Sequence, residues 1–144
     1  MTIINFFLPM IPPTVTQQEH KIAVVNGKAK VYDPPELKSA RQKFISALRE
    51  HKPKVKILGP VRLITKWIWP LEMLDPGQMN LMDLTGENYF VWKTTKPDTD
   101  NMIKLFKDCM TKVGFWKDDC QVVSEITEKM FANQPGIYVE VVQL

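Results

Sequence analysis

The sequence predicts an α+β fold in a single domain, a mixed or antiparallel sheet with two main helices packed on it. Three observations predict it. Alternation is clearest over residues 61–69, where Val61, Leu63, Thr65, Trp67 and Trp69 share one side and Arg62, Ile64, Lys66 and Ile68 the other. Helical spacing recurs twice, over residues 36–50 and in the segment holding Ile103, Phe106, Met110 and Val113. Strand and helix signals are mixed along the chain in the manner of helices laid on one side of a sheet. At 144 residues the chain suits one domain with a proper core, so residues 1–144 are read as one.

The elements follow in order. Residues 3–8 are a short apolar run stopped by Pro12-Pro13, hence a buried first strand. Asn26-Gly27 is the dipeptide of a type I′ turn, so residues 22–25 and 28–32 are expected to pair as a hairpin. Lys21, Lys28 and Lys30 decorate this ribbon, either as a solubilising edge or as phosphate contacts. Asp33-Pro34-Pro35 breaks the chain before the first helix. There Leu37, Ala40, Phe44, Ala47 and Leu48 form the apolar stripe, and Lys38, Arg41, Lys43 and Arg49 lie off it. Trp67 and Trp69 in the next strand read as core, with stacking on bases as the alternative.

Residues 71–90 have no clean period and carry two turn signals, Asp75-Pro76-Gly77 and Gly86-Glu87-Asn88. They are read as a flap or dimerisation excursion, to which Met73, Met79 and Met82 would lend an adaptable surface. A strand ending at Trp92 returns the chain to the second helix, which Gly114 stops. Two last strands, 122–130 and 137–142, are expected to form an antiparallel hairpin about the turn at 133–136, with Ile126 inward and Thr127 and Lys129 outward.

Charge is unevenly distributed. Residues 1–70 hold 12 Lys+Arg against 4 Asp+Glu, net +8; residues 71–144 hold 7 against 12, net −5, giving +3 overall. A basic half beside an acidic half suits a polyanion binder with a metal site on one side. Cys109 and Cys120 form neither a disulfide framework nor a zinc motif. No apolar run is long enough to span a bilayer, so the expectation is a reduced, cytoplasmic protein without membrane contact.

The chemistry gathers in KPDTDNMIKLFKDCMTKVGFWKDDCQVVSEITEK, residues 96–129. Asp98 and Asp100 precede the helix, and Asp118 and Asp119 precede the strand. Helix and strand lying side by side would let the two acidic ends meet. Two unit charges about 4 Å apart repel by roughly 4 kcal/mol at an effective dielectric near 20, so such a cluster recruits a cation or protonates in part. Oxygen donors with no His or Cys among them suit Mg2+ or Mn2+. Lys104, four residues after Asp100, projects from the same helical face. Taken singly, Asp98 is a helix cap, Lys104 a partner for Asp100 or Asp108, and Asp118-Asp119 a turn. Taken jointly, they are the parts of metal-assisted phosphoryl chemistry.

KPDTDNMIK, then GFWKDDCQV, then a lysine in the following strand resembles the RusA family of Holliday junction resolvases. That pattern runs K-P-D-x-D-N-x-x-K on a helix and D-D-x-Q-V after it. The match is closest over residues 90–131 and looser over GKAKVYDPP. Thr14, Thr16, Gln17 and Gln18 stand where family members often carry arginines, and the excursion after residue 70 is longer than the family's.

The resemblance implies a homodimeric, magnesium-dependent endonuclease, bacterial or phage-encoded, that nicks opposed strands of four-way DNA. Its essential carboxylates fall on Asp98, Asp100 and Asp119 and its lysine on Lys104, with Asp118 a weaker metal candidate. Lys21, Lys28, Lys30, Arg41, Lys96 and Lys129 are the expected DNA contacts. Two other classes compete: a metal-dependent phosphohydrolase of nucleotides or RNA, and a DNA-binding module without turnover.

Overall fold

A computed structural model of the chain describes residues 2–15, 21–74 and 90–144; residues 75–89, most of the segment read as a flap or dimer element, lie outside it, as do 16–20. The architecture is α+β. The chain folds as two compact units, each assembled from separate stretches: Met1–Pro12, Gly59–Thr95 and Val122–Leu144 form one, Pro13–Leu58 and Lys96–Gln121 the other.

The first unit is a five-stranded mixed sheet of β1 (Ile3–Leu8), β4 (Val61–Pro70), β5 (Val91–Trp92), β6 (Val122–Ala132) and β7 (Gly136–Gln143). The spatial order is β1-β7-β4-β6-β5. Only β4 and β6 run parallel, with Thr65 beside Thr127 and Trp67 beside Lys129. Val61, Leu63, Thr65, Trp67 and Trp69 are all buried, as the alternation requires. Trp67 Nε1 donates to Thr65 Oγ1 at 2.9 Å and Trp69 Nε1 to the Pro12 carbonyl at 3.0 Å. Both indoles are core residues with their single polar atom satisfied.

The expected β6–β7 hairpin does not form. β4 lies between the two strands, antiparallel to β7 and parallel to β6. The short link is compatible with this. Skipping one strand spans about 9.6 Å at the usual spacing, within reach of residues 133–135 extended. The determinant is β4 itself, whose second face carries half-buried Ile64 and Ile68. An apolar strand of that kind gains most at the centre of a sheet. The assignment within β6 shifts too: Ile126 is exposed, and Thr127 keeps a buried hydroxyl.

The second unit holds β2 (Lys21–Val25), β3 (Lys28–Tyr32), α1 (Pro35–Leu48) and α2 (Thr99–Val113). β2 and β3 form the expected hairpin about Asn26 (φ 52°) and Gly27 (φ 73°), the left-handed pair a type I′ turn demands. Its faces differ. Ile22, Val24 and Val31 share one, at 72%, 77% and 65% exposure, while Lys28 and Lys30 lie on the other. α1 and α2 pack through Leu37, Ala40, Phe44 and Leu48 against the stripe of Ile103, Phe106 and Met110. Phe44 and Phe106 meet edge to face with centroids 5.2 Å apart. Gly114 ends α2 at φ 108°, where its N–H reaches the Met110 carbonyl. No helix among the described residues is long and apolar enough to cross a membrane.

Candidate active site

Every carboxylate singled out in the sequence, together with Lys104, lies in the second unit. α2 begins after the buried Pro97, with Asp98 as its N-cap residue in an extended conformation. The Asp98 carbonyl accepts the Met102 N–H at 3.1 Å, but its carboxylate makes no capping bond. Asp98 therefore holds the cap position without spending its side chain on it. Asp100 follows in the first turn and Lys104 one turn later, both exposed, while Met102, Ile103, Leu105 and Phe106 are buried. The helix thus turns its apolar stripe to α1 and keeps Asp100 and Lys104 on its solvent side.

The second acidic pair sits in a turn built around Gln121. The Gln121 side-chain carbonyl accepts the main-chain N–H groups of Lys117 (2.9 Å) and Asp118 (3.1 Å), and its amide donates to the Ile57 carbonyl at 2.9 Å. Ile57 in turn donates its N–H to the Phe115 carbonyl. One amide side chain thereby fixes the loop carrying both aspartates. The spacing D-D-x-Q displays this glutamine but not its role. The burial of Phe115 and Trp116 anchors the same loop from below.

Asp118 and Asp119 are inequivalent. Asp118 Oδ1 accepts the Cys120 N–H at 3.0 Å, and that bond holds its carboxyl below the usual range. Asp119 is half-buried. Desolvation first, then the negative charge of Asp108, pushes its carboxyl up. Asp118 is committed to the turn. Asp119 is the carboxylate whose surroundings favour a cation.

Besides Asp118, Asp119's charged neighbours are Asp108 and Lys107, and Asp108 lies about 12 Å along α2 from Asp100 at about 1.5 Å per residue. The structure brings Asp119 towards Asp108, a carboxylate for which the sequence suggested only a pairing with Lys104. It does not gather Asp98, Asp100 and Asp119: among the described residues no three Asp, Glu, His or Cys side chains form a group that could hold a metal ion. In kind the donors suit a hard divalent cation. They are carboxylates only, uncommitted at Asp98 and desolvated at Asp119.

Of the expected DNA contacts, Lys28 and Lys30 are exposed on β3 and Lys96 is exposed before Pro97. Lys21 pairs with Tyr32 in the hairpin register. Lys129, in β6, donates to the Thr95 carbonyl. Arg41 is more engaged. Its Nε donates to Asp33 at 2.8 Å and a terminal nitrogen lies 3.9 Å from Asp108, so it braces α1 against the chain break before it and against α2.

The two thiols should differ sharply in reactivity. Cys109 is fully buried, and burial pushes its pKa up to about 11. At pH 8 that leaves about one thiolate per thousand, the thiolate being the reactive form. Cys120 is exposed, with its thiol raised by hydrogen bonding to Asp118. A disulfide reagent should label one cysteine per native chain, faster as pH rises, and the second only on unfolding. Equal native rates would contradict this burial.

With the geometry in hand, comparison with known proteins is informative. The family model described as Endodeoxyribonuclease RusA matches residues 11–142. The chain is similar to the crossover junction endodeoxyribonuclease rusA of Lactococcus phage r1t, 27% identical over 142 residues, 97% of this chain and 96% of that one. It is also similar to the uncharacterized protein YqaN of Bacillus subtilis, 30% identical over 125 residues, 87% of each chain.

Proposed function

Because the chain belongs to the RusA family of endodeoxyribonucleases, and is an endonuclease on that account, we propose that it resolves four-way DNA junctions with a divalent metal ion, as a homodimer. The observation that carries the reading is the ordered set Asp98, Asp100, Lys104 and Asp118-Asp119-x-Gln121. The first three are exposed along α2, and the turn bearing the others is fixed by an amide.

By the family resemblance Asp98, Asp100 and Asp119 would hold the ion, which requires the turn bearing Asp119 and the entrance of α2 to be drawn within reach of one cation. A divalent cation bound there would supply Lewis acidity and a water of lowered pKa. Lys104 presents a positive charge one turn from Asp100 to offset negative charge developing on the phosphate. The net reaction adds one water across a P–O3′ bond. The water oxygen stays on the 5′-phosphate and a proton goes to the 3′ oxygen, leaving ends that can be religated in recombination or repair.

Two opposed nicks require two sites related by symmetry, which is the argument for a dimer. Exposed Lys28 and Lys30 lie on one face of a two-stranded ribbon, a shape a major groove admits, and suit phosphate contact there. The deciding experiment compares four-way junction, linear duplex and supercoiled plasmid, each with magnesium or EDTA. Paired, magnesium-dependent nicks on the junction are expected. A mobility shift without cleavage would favour a binding module, and hydrolysis of RNA or mononucleotides another phosphohydrolase. A monomer by ultracentrifugation at micromolar concentration would overturn paired nicking.

A further inference from the structure

Trp92 departs from the pattern of the other tryptophans. Trp67, Trp69 and Trp116 are buried, whereas Trp92 is 52% exposed. It lies in β5, the last strand in the order β1-β7-β4-β6-β5, with its backbone in register with Met130 of β6. Phe90, two residues earlier and 46% exposed, meets it edge to face with ring centroids 4.7 Å apart and planes at 81°. The two rings form a corner, and the ladder to β6 fixes the backbone beneath Trp92. Such a ring offers a large flat contact area at little cost in side-chain freedom, which is why tryptophan is enriched where one surface meets another.

The chemistry of the surrounding segment selects the occupant. Residues 90–97, FVWKTTKP, carry Lys93 and Lys96 and no Asp or Glu. Lysine is depleted from protein–protein interfaces. Aromatic rings interleaved with lysines are instead the pattern that holds nucleic acid, by stacking and phosphate attraction together. A base inside continuous duplex is stacked on both faces and has no ring face to offer. A base at a branch point, where the helices part, is cheaper to unstack.

We propose that Trp92, braced by Phe90, stacks an unpaired base at the branch point of a DNA junction, an inference that rests on branched DNA being the substrate. Every base has a π-face, so this contact is blind to sequence and answers to strand branching instead. Trp92 stands six residues before Asp98 in the chain. A base seated on it anchors the segment that leads into the candidate catalytic carboxylates. Trp92 is thereby a determinant of which DNA is held and takes no part in breaking the bond.

The test is binding, in EDTA over a salt series, of a four-way junction, a linear duplex and a single-stranded oligonucleotide. The chains compared are wild type, W92A and W92F. W92A should weaken binding of junction and single strand by about 5- to 150-fold, the range for one base–aromatic stack, and leave the duplex unchanged. Its slope of log K against log salt should stay at the wild-type value, because no phosphate contact is lost. W92F keeps a π-face and should recover most of the affinity. Wild type carries a second readout. Trp92, the exposed indole, should be quenched by acrylamide in the free protein and shielded by junction DNA, a change absent from W92F. Equal losses on junction and duplex, or a reduced salt slope, would overturn base stacking. Shielding of Trp92 without DNA, or loss of a dimer in W92A by ultracentrifugation, would give the corner to protein and overturn it too. Should W92A not fold, the acrylamide measurement decides, and no shielding by junction rejects the stack. A wild-type chain that binds neither junction nor duplex removes the nuclease reading itself. Wild-type junction binding with unaltered affinity in W92A removes this proposal alone.

Discussion

Asp100→Asn is expected to reduce cleavage of a four-way junction by about 10²–10³-fold while leaving the fold and DNA binding intact. Metal Lewis acidity contributes several kcal/mol of charge stabilisation in the transition state, and each 1.4 kcal/mol is tenfold in rate. Asparagine keeps the shape of aspartate but not the charge that holds a hard cation. Asp100 is exposed in the first turn of α2, so the substitution reaches no buried contact, and surface changes of that kind stay within about 0.5 kcal/mol. Removing a negative charge beside a polyanion should leave affinity unchanged or improve it.

The measurements are single-turnover cleavage in magnesium, binding in EDTA, and thermal unfolding. Asp118→Asn supplies the internal contrast. Its side-chain oxygen serves the Cys120 N–H, a role asparagine keeps, so its cleavage should fall far less. Wild-type cleavage by Asp100→Asn would remove that residue from the mechanism. Equal losses in both variants would make Asp118 as important to cleavage as Asp100 and overturn its assignment to the turn alone.

What could be read from the sequence divides along physical lines. Local signals carried through: Asn26-Gly27 gave its hairpin, alternation over β4 put both tryptophans inside, and Gly114 stopped α2 in the left-handed region. Each depends only on residues within a few positions of one another. Long-range partners did not show. A three-residue connection between two apolar strands resembles a hairpin, and nothing near it shows that β4 intervenes. The half-buried second face of β4 was the available sign. Arg41 sits off the apolar stripe of α1, yet Asp33 and Asp108 claim it.

The candidate site divides in the same way. Its residue types and spacing were legible, because carboxylates at a helix entrance and a tight turn are local features. The work of Gln121 was not, since its partner Ile57 is 64 residues away. Nor was the approach of Asp108 to Asp119, which depends on where the turn after Trp116 folds back along α2. Exposed Trp92 opposite buried Met130 emerges only once the β5–β6 register is fixed.

Phe106→Ala is the substitution expected to cost most stability among those that touch no charged group. The ring is fully buried on α2 and meets Phe44 of α1 edge to face. Truncating a buried phenylalanine costs about 3–5 kcal/mol, and an aromatic pair of this geometry adds about 0.5–1.5 beyond its buried area. For a chain of this size the unfolding midpoint should fall on the order of 10–20 °C. The effect reaches function through position. Asp100 and Lys104 stand on the opposite side of the same helix, and α1–α2 packing sets where that side lies. Well below the lowered midpoint, Phe106→Ala should still bind junction DNA but cleave it more slowly. Phe106→Leu, which refills most of the volume, should recover both stability and rate. Calorimetry with cleavage at two temperatures checks this. Full cleavage by a strongly destabilised Phe106→Ala would show that α2 keeps its acidic end in place without help from α1.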